Sequence, residues 1–138
     1  MSGKRKSITS ITYKGRSFGI IILTAAQLLI GIIHTLIGIQ LITTGSTFMQ
    51  ATEAYNIYTV VFGLLVIVFA VFIWQGKKVG WIGTIGVSVF VSVVDTLTVL
   101  NLSSIPGIPV FAAPTEIGYS VIITLYLLQT KVRKKFWT

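Results

Sequence analysis

The chain has 138 residues, of which 54% are hydrophobic and only 10% are charged. This composition is too apolar for a soluble surface and the length allows a single domain, so the sequence predicts one transmembrane domain over residues 1–138. The formal net charge of +8 does not indicate nucleic acid binding, because the basic residues cluster beside the ends of apolar segments, where anionic lipid headgroups lie.

Four apolar segments follow one another along the chain. A bilayer core of about 30 Å needs roughly 20 apolar residues per helix. The segments cover residues 18–43, 56–74, 79–100 and 115–130, the last being the shortest. They predict an all-α fold, a polytopic membrane bundle of four helices.

The basic residues are confined to three regions: residues 4–16 before the first segment, the turn at residues 75–78, and residues 131–135 after the fourth segment. Lys and Arg in short loops and tails stay on the cytoplasmic side. The sequence therefore predicts a multi-pass protein of the cell membrane with a cytoplasmic N-terminus and a cytoplasmic C-terminus. The three acidic residues, Glu53, Asp95 and Glu116, fall toward the opposite ends of the helices.

The second outer loop, residues 101–114, is apolar and uncharged and contains three prolines. Proline prevents a regular helix there. Non-helical backbone in contact with lipid would leave amides unpaired, so the loop either lies in the interface, folds over the helix ends, or is covered by another protein.

His34, Asp95 and Glu116 are expected to share a depth in the outer leaflet. His34 is eighteen residues after Arg16, Asp95 is seventeen after Lys78, and Glu116 is fifteen before Lys131. At 1.5 Å per residue, all three lie about 22 to 27 Å from the inner boundary. An Asp within a membrane helix costs about 2.5 to 3.5 kcal/mol on insertion scales, so Asp95 is expected to face a partner, a cavity or water.

Three interpretations of this polar layer remain open on the sequence. It is an interhelical hydrogen-bond cluster, a site of proton- or cation-coupled translocation, or a metal site made of one histidine and two carboxylates. The helices supply no local ligand spacing that favours the metal.

Small and polar residues form a stripe on each of two helices. At 100° per residue the members fall on one face of the first or the third helix, and small residues let backbones approach closely. The sequence thus predicts that the first helix packs against the third. The candidate packing residues are Gln27, Gly31, Gly38, Thr84, Ser88 and Ser92.

The segment Trp74-Gln-Gly-Lys-Lys-Val-Gly-Trp81, placed between two apolar helices and combined with a Gly-rich first helix and a short basic tail, resembles small uncharacterised four-helix membrane proteins of prokaryotes, including DoxX-like families. The resemblance implies an accessory role beside a membrane oxidase or monooxygenase. It assigns no functional residue.

No catalytic motif is present: the chain lacks G-x-S-x-G, P-loop and H-E-x-x-H patterns, and it has one histidine and no cysteine. We therefore assign no catalytic, cofactor-binding or metal-ligating residue and expect no cofactor. The predicted function is that of a non-catalytic subunit in a larger membrane complex. Its partners would be other membrane subunits and, at the inner face, anionic lipid headgroups. The alternative is a small oligomeric ion- or proton-coupled transporter that uses Asp95 and His34.

Overall fold

The fold is taken from a computed structural model that describes residues 12–13, 16–45, 52–102 and 105–137. Basic residues Lys4, Arg5, Lys6 and Lys14 lie outside the described residues. The elements, in chain order, are β1 (Thr12–Tyr13), β2 (Arg16–Ser17), α1 (Phe18–Thr44), α2 (Glu53–Trp74), α3 (Lys78–Val99), α4 (Ala113–Leu128) and α5 (Thr130–Arg133). The two short strands pair antiparallel, with Tyr13 opposite Arg16.

Three helices of the described chain, α1, α2 and α3, are long and apolar enough to cross a membrane, which marks the chain as a membrane protein. The shorter of these have 22 residues, or about 33 Å at 1.5 Å per residue, against a bilayer core of about 30 Å. The apolar helix α4 has 16 residues, about 24 Å, and is shorter than that core.

Local sequence explains where the helices end. α1 stops at Gly45, whose φ of 71° is the left-handed conformation that glycine adopts at a helix C-terminus. The Thr52 hydroxyl accepts a hydrogen bond from the Tyr55 amide and caps α2. Gly76, with a φ of 72°, makes the tight turn into α3. Pro114 lies in the first turn of α4, where its missing N–H costs nothing.

These ends differ by up to three residues from the predicted segments. α2 begins at Glu53 rather than at residue 56, because the Thr52 cap extends the helix beyond its apolar run. α4 spans Ala113–Leu128 rather than residues 115–130, since proline is tolerated in its first turn and the chain becomes extended at Gln129. The pair of strands and α5 are too short to produce a periodic pattern and were not predicted.

The helices pack mainly against their neighbours in sequence: α1 against α2, α2 against α3, and α3 against α4. Glycine sets the first of these contacts. A Cβ atom on Gly31 would lie 2.8 Å from the Gly63 carbonyl oxygen, and one on Gly38 would lie 3.0 Å from the Val60 amide. Gly31 and Gly38 thus face α2, whereas the sequence stripe had placed them toward α3.

All described basic residues lie at one end of the molecule, called here the basic end. A cluster of buried apolar side chains fills this end and joins α1, α2, α4 and the C-terminal segment. Its members are Ile20, Leu23, Ile73, Ile123, Leu127, Val132 and Phe136. At the acidic end, which carries Glu53, Asp95 and Glu116, polar groups enter the interior instead.

Candidate functional site

A contact between a histidine and a carboxylate joins α1 to α4 at the acidic end. His34 Nε2 lies 3.4 Å from Glu116 Oε1. The other ring nitrogen, Nδ1, lies 2.9 Å from the Ile30 carbonyl oxygen one helical turn earlier. The Phe62 ring meets the imidazole edge to face, with centroids 5.0 Å apart.

The contacts of the two ring nitrogens with Ile30 and Glu116 limit where the imidazole protons can lie. A carbonyl oxygen only accepts, so the Ile30 contact requires Nδ1 to carry a hydrogen. Nε2 can then bond Glu116 in two ways: as the donor of a histidinium to a carboxylate, or as the acceptor of a proton from a neutral carboxylic acid. In both states one proton lies between Nε2 and Oε1. When the pair is hydrogen-bonded it therefore shares one proton, which lies on the nitrogen or on the oxygen.

Asp95 lies deeper than this pair. It is 1% exposed, and neither carboxylate oxygen has a hydrogen-bond partner that meets normal geometry among the described residues. Its electrostatic neighbours are Glu116 and His34. The structure thus brings His34 and Glu116 into contact and leaves Asp95 buried beside them.

His34 and Glu116 also line a pocket at the acidic end, with a volume of about 410 Å³. The pocket walls are apolar where α1, α2 and α3 contribute Ile30, Phe62 and Val91. Phe111 of the proline-rich loop forms part of the rim and is 75% exposed. Such a combination of apolar walls and a few convergent polar groups is typical of small-molecule sites.

A second, much smaller cavity of about 20 Å³, called here the inner cavity, lies beside the pocket and is lined by residues of α1, α2, α3 and α4. The two spaces share Phe62, Val91, Tyr119 and Ser120 as lining residues. Gln27 lines the inner cavity and donates from Nε2 to Thr84 Oγ1 over 3.4 Å. This is the described hydrogen bond that links the stripes of α1 and α3.

The remaining stripe residues fall into different environments. Ser88 is buried and lines the inner cavity. Ser92 instead lies in a groove on the outside of α3 and α4 and donates to the Ser88 carbonyl. The six predicted packing residues are therefore divided among four environments: Gly31 and Gly38 face α2, Gln27 bonds Thr84, Ser88 lines the inner cavity and Ser92 lines the outer groove. One helical face of about 100° is wide enough to meet two neighbours.

Sequence reasoning missed two aromatic members of the site, Phe62 and Tyr119. Phe62 looks like a lipid-facing residue in an apolar sequence, so nothing in its type reveals it. Phe111 belongs to the apolar loop 101–114, for which folding over the helix ends was one of the predicted placements. Tyr119 carried a weak signal, since it is three residues after Glu116 and therefore on the same face of α4. Its hydroxyl is buried without a hydrogen-bond partner among the described residues.

A metal site receives no geometric support. Within residues 12–13, 16–45, 52–102 and 105–137, no group of three His, Asp or Glu side chains is arranged to hold an ion.

No family model, curated protein or solved structure matches this chain. The resemblance to DoxX-like proteins accordingly stays a prediction.

Proposed function

We propose that this chain is a multi-pass protein of the cell membrane that acts as a non-catalytic subunit of a larger membrane complex, with its N-terminus and C-terminus in the cytoplasm. The orientation follows from the basic end, since Lys and Arg of short loops are retained on the cytoplasmic side. An oxidase or monooxygenase is the kind of complex that the sequence resemblance implies.

The observation that carries this proposal is the groove between α3 and α4, on the outside of the molecule. It has a volume of about 430 Å³ and is lined by Val89, Ser92, Val93, Thr96, Val121, Thr124 and Leu125. The Ser92 and Thr96 hydroxyls donate to carbonyls of their own helix, at 2.8 Å and 2.6 Å. Because these hydroxyls are bonded within their own helix, the groove presents an apolar surface made of small and aliphatic side chains.

A membrane helix of another chain is the occupant that suits such a groove. Helices in lipid associate by close packing at small residues rather than by hydrophobic burial. The short helix α4 also supports a partner, because a span of about 24 Å in a core of about 30 Å favours association with a longer neighbour.

Purification in mild detergent after expression in the native host tests the proposal. We expect the chain to migrate with defined partner chains, and we expect Ser92→Leu with Thr96→Leu to remove them by filling the groove. Ala25→Leu is the matched control, because Ala25 is exposed on α1 and gains the same side chain away from the groove. A chain that migrates alone or only with itself would contradict the proposal.

A second function, coupled transport of protons or cations, is favoured by the His34–Glu116 contact. A one-proton pair that opens into a pocket, with a buried carboxyl beside it, is a suitable coupling site. The apolar cluster at the basic end interrupts the polar route through the described chain, so transport would require a pathway between several copies.

Flux measurements in liposomes with a pH gradient address this alternative. Asp95→Asn and His34→Gln would each abolish proton-coupled flux, whereas Ala25→Leu would not. Unchanged flux in both variants, or no flux in the unmodified protein, removes transport from consideration and leaves the subunit proposal untouched.

A further inference from the structure

A second pocket lies at the basic end, about 440 Å³ in volume, and it differs in character from the pocket beside His34. Two cations from distant parts of the sequence, Arg16 and Lys135, both line it. Its apolar lining comes from Ile20, Ile73 and Phe136, which are at most 5% exposed.

The Arg16 side chain is held in a fixed orientation. Its Nε donates to the Trp74 carbonyl over 2.6 Å, and its guanidinium carbon lies 4.4 Å above the Trp74 ring centroid. That hydrogen bond uses only Nε, and among the described residues no hydrogen bond uses the two terminal nitrogens, which can therefore bind an anion. A guanidinium presents them as a planar fork that matches two oxygens of a phosphate.

Further groups at this pocket favour an anion. Ser17 lines the pocket, and its hydroxyl is buried without a hydrogen-bond partner among the described residues. Ser17 is also the N-cap of α1, yet its side chain caps no amide and the first turn carries no acid. The N-terminus of the 27-residue helix α1 therefore adds uncompensated positive potential.

No acidic side chain of the chain offsets these charges, because Glu53, Asp95 and Glu116 all belong to the acidic end. Two further described cations lie against aromatic rings and do not line the pocket: Lys77 lies over the Phe72 ring and Lys78 over the Trp137 ring, 3.4 Å from its centroid. Arg16 and Lys135 are thus the cations that the pocket itself presents.

We infer that this pocket binds the headgroup of an anionic phospholipid, with the phosphate between Arg16 and Lys135. The apolar lining suits the glycerol and the start of the acyl chains, which a free phosphate would not use. The pocket also lies at the depth of Trp74, Trp81 and Trp137, as expected for the membrane interface. Basic pockets of this kind between membrane helices hold anionic headgroups. The inference stands independently of the proposed subunit function.

Native mass spectrometry of the purified full chain, with phosphatidylglycerol, phosphatidylcholine or inorganic phosphate added, tests the assignment. We expect phosphatidylglycerol to bind at least about fivefold more tightly than phosphatidylcholine, since each basic residue near the surface contributes about that factor. Equal affinity for the two lipids overturns the inference. Binding of inorganic phosphate as tight as that of phosphatidylglycerol overturns the lipid as the ligand.

Variants separate the pocket from general surface charge. Lys135→Gln removes an exposed lysine of the pocket and is expected to weaken phosphatidylglycerol binding about fivefold. Lys131→Gln removes the same charge from an exposed residue of α5 outside the pocket and is expected to have little effect. Arg16→Lys keeps the charge but loses the planar fork of the guanidinium, and it is expected to weaken phosphatidylglycerol binding. It is preferred to Arg16→Gln, which removes the charge and risks loss of the fold. Equal losses in Lys131→Gln and Lys135→Gln would show non-specific attraction and overturn the site.

Discussion

His34 on α1 contacts Glu116 on α4, although 82 residues separate them in sequence. The contact lies at the acidic end, away from the apolar cluster, and consists of one hydrogen bond between Nε2 and Oε1. It is the polar counterpart of the apolar packing at the basic end.

The shared proton predicts a difference between two substitutions of Glu116. Glu116→Gln keeps an amide donor for Nε2 and is expected to retain nearly all of the stability. Glu116→Leu leaves His34 Nε2 without this partner and is expected to lower the free energy of unfolding by about 0.6 to 2 kcal/mol, the range for polar contacts between membrane helices. Thermal unfolding in detergent measures both. Equal losses in the two variants would contradict the shared-proton contact.

The glycine contact between α1 and α2 predicts opposite effects of the same substitution at two sites. Gly31→Ala places a methyl group 2.8 Å from the Gly63 carbonyl oxygen and is expected to cost about 1 to 3 kcal/mol by overpacking. Gly86→Ala, on α3, meets nothing within 4 Å and is expected to add about 0.5 to 1 kcal/mol through helix propensity. Urea or thermal unfolding of the two variants distinguishes them, and a stabilising Gly31→Ala would rule out the close approach.

Trp81 satisfies a backbone acceptor at the end of α4. Its indole Nε1 donates to the Leu127 carbonyl over 2.9 Å, one of the last-turn carbonyls that have no partner within their own helix. Trp81→Phe is expected to destabilise the protein by about 0.5 to 1.5 kcal/mol through loss of this bond. Trp137→Phe is the control: Trp137 packs edge to face on Trp81 and lies under Lys78, and the substitution keeps an aromatic ring for both contacts while leaving the Trp81–Leu127 bond in place. A larger loss of thermal stability in Trp137→Phe than in Trp81→Phe would contradict the stabilising role of the Trp81–Leu127 bond.

The absence of cysteine from the sequence makes the proposed orientation directly measurable. Phe111→Cys and Gln75→Cys place single thiols at exposed positions of the acidic and basic ends. A membrane-impermeant maleimide added to intact cells is expected to label only Phe111→Cys, and Gln75→Cys only after permeabilisation. Labelling of Gln75→Cys alone in intact cells would reverse the proposed orientation.

The existence of the helices could be predicted because a bilayer demands about 20 apolar residues per span, a requirement visible in any sequence. Helix partners could not be predicted. Gly31 and Gln27 lie on one face of α1, but Gly31 meets α2 and Gln27 reaches Thr84 of α3. The pattern on one helical face predicts which residues point into the protein, but it does not predict which neighbouring helix they contact.

The candidate site illustrates the same limit. Counting the rise along each helix places His34, Asp95 and Glu116 at a common depth, since rise depends on sequence position alone. The rotation of each helix decides the rest: it brings Glu116 to His34 and buries Asp95. Phe62, in the apolar helix α2, could not be distinguished from residues that face lipid.

The apolar cluster at the basic end has a consequence for how the molecule moves. Ile73 near the end of α2, Leu127 near the end of α4 and Phe136 after α5 pack in one buried apolar cluster, whereas Asp95 and other polar side chains are buried toward the acidic end. Local opening begins where buried apolar contacts are fewest. Backbone amides near Thr115 are therefore expected to exchange with deuterium before those near Ile123. The helices would then separate first at the acidic end, while the basic end stays packed.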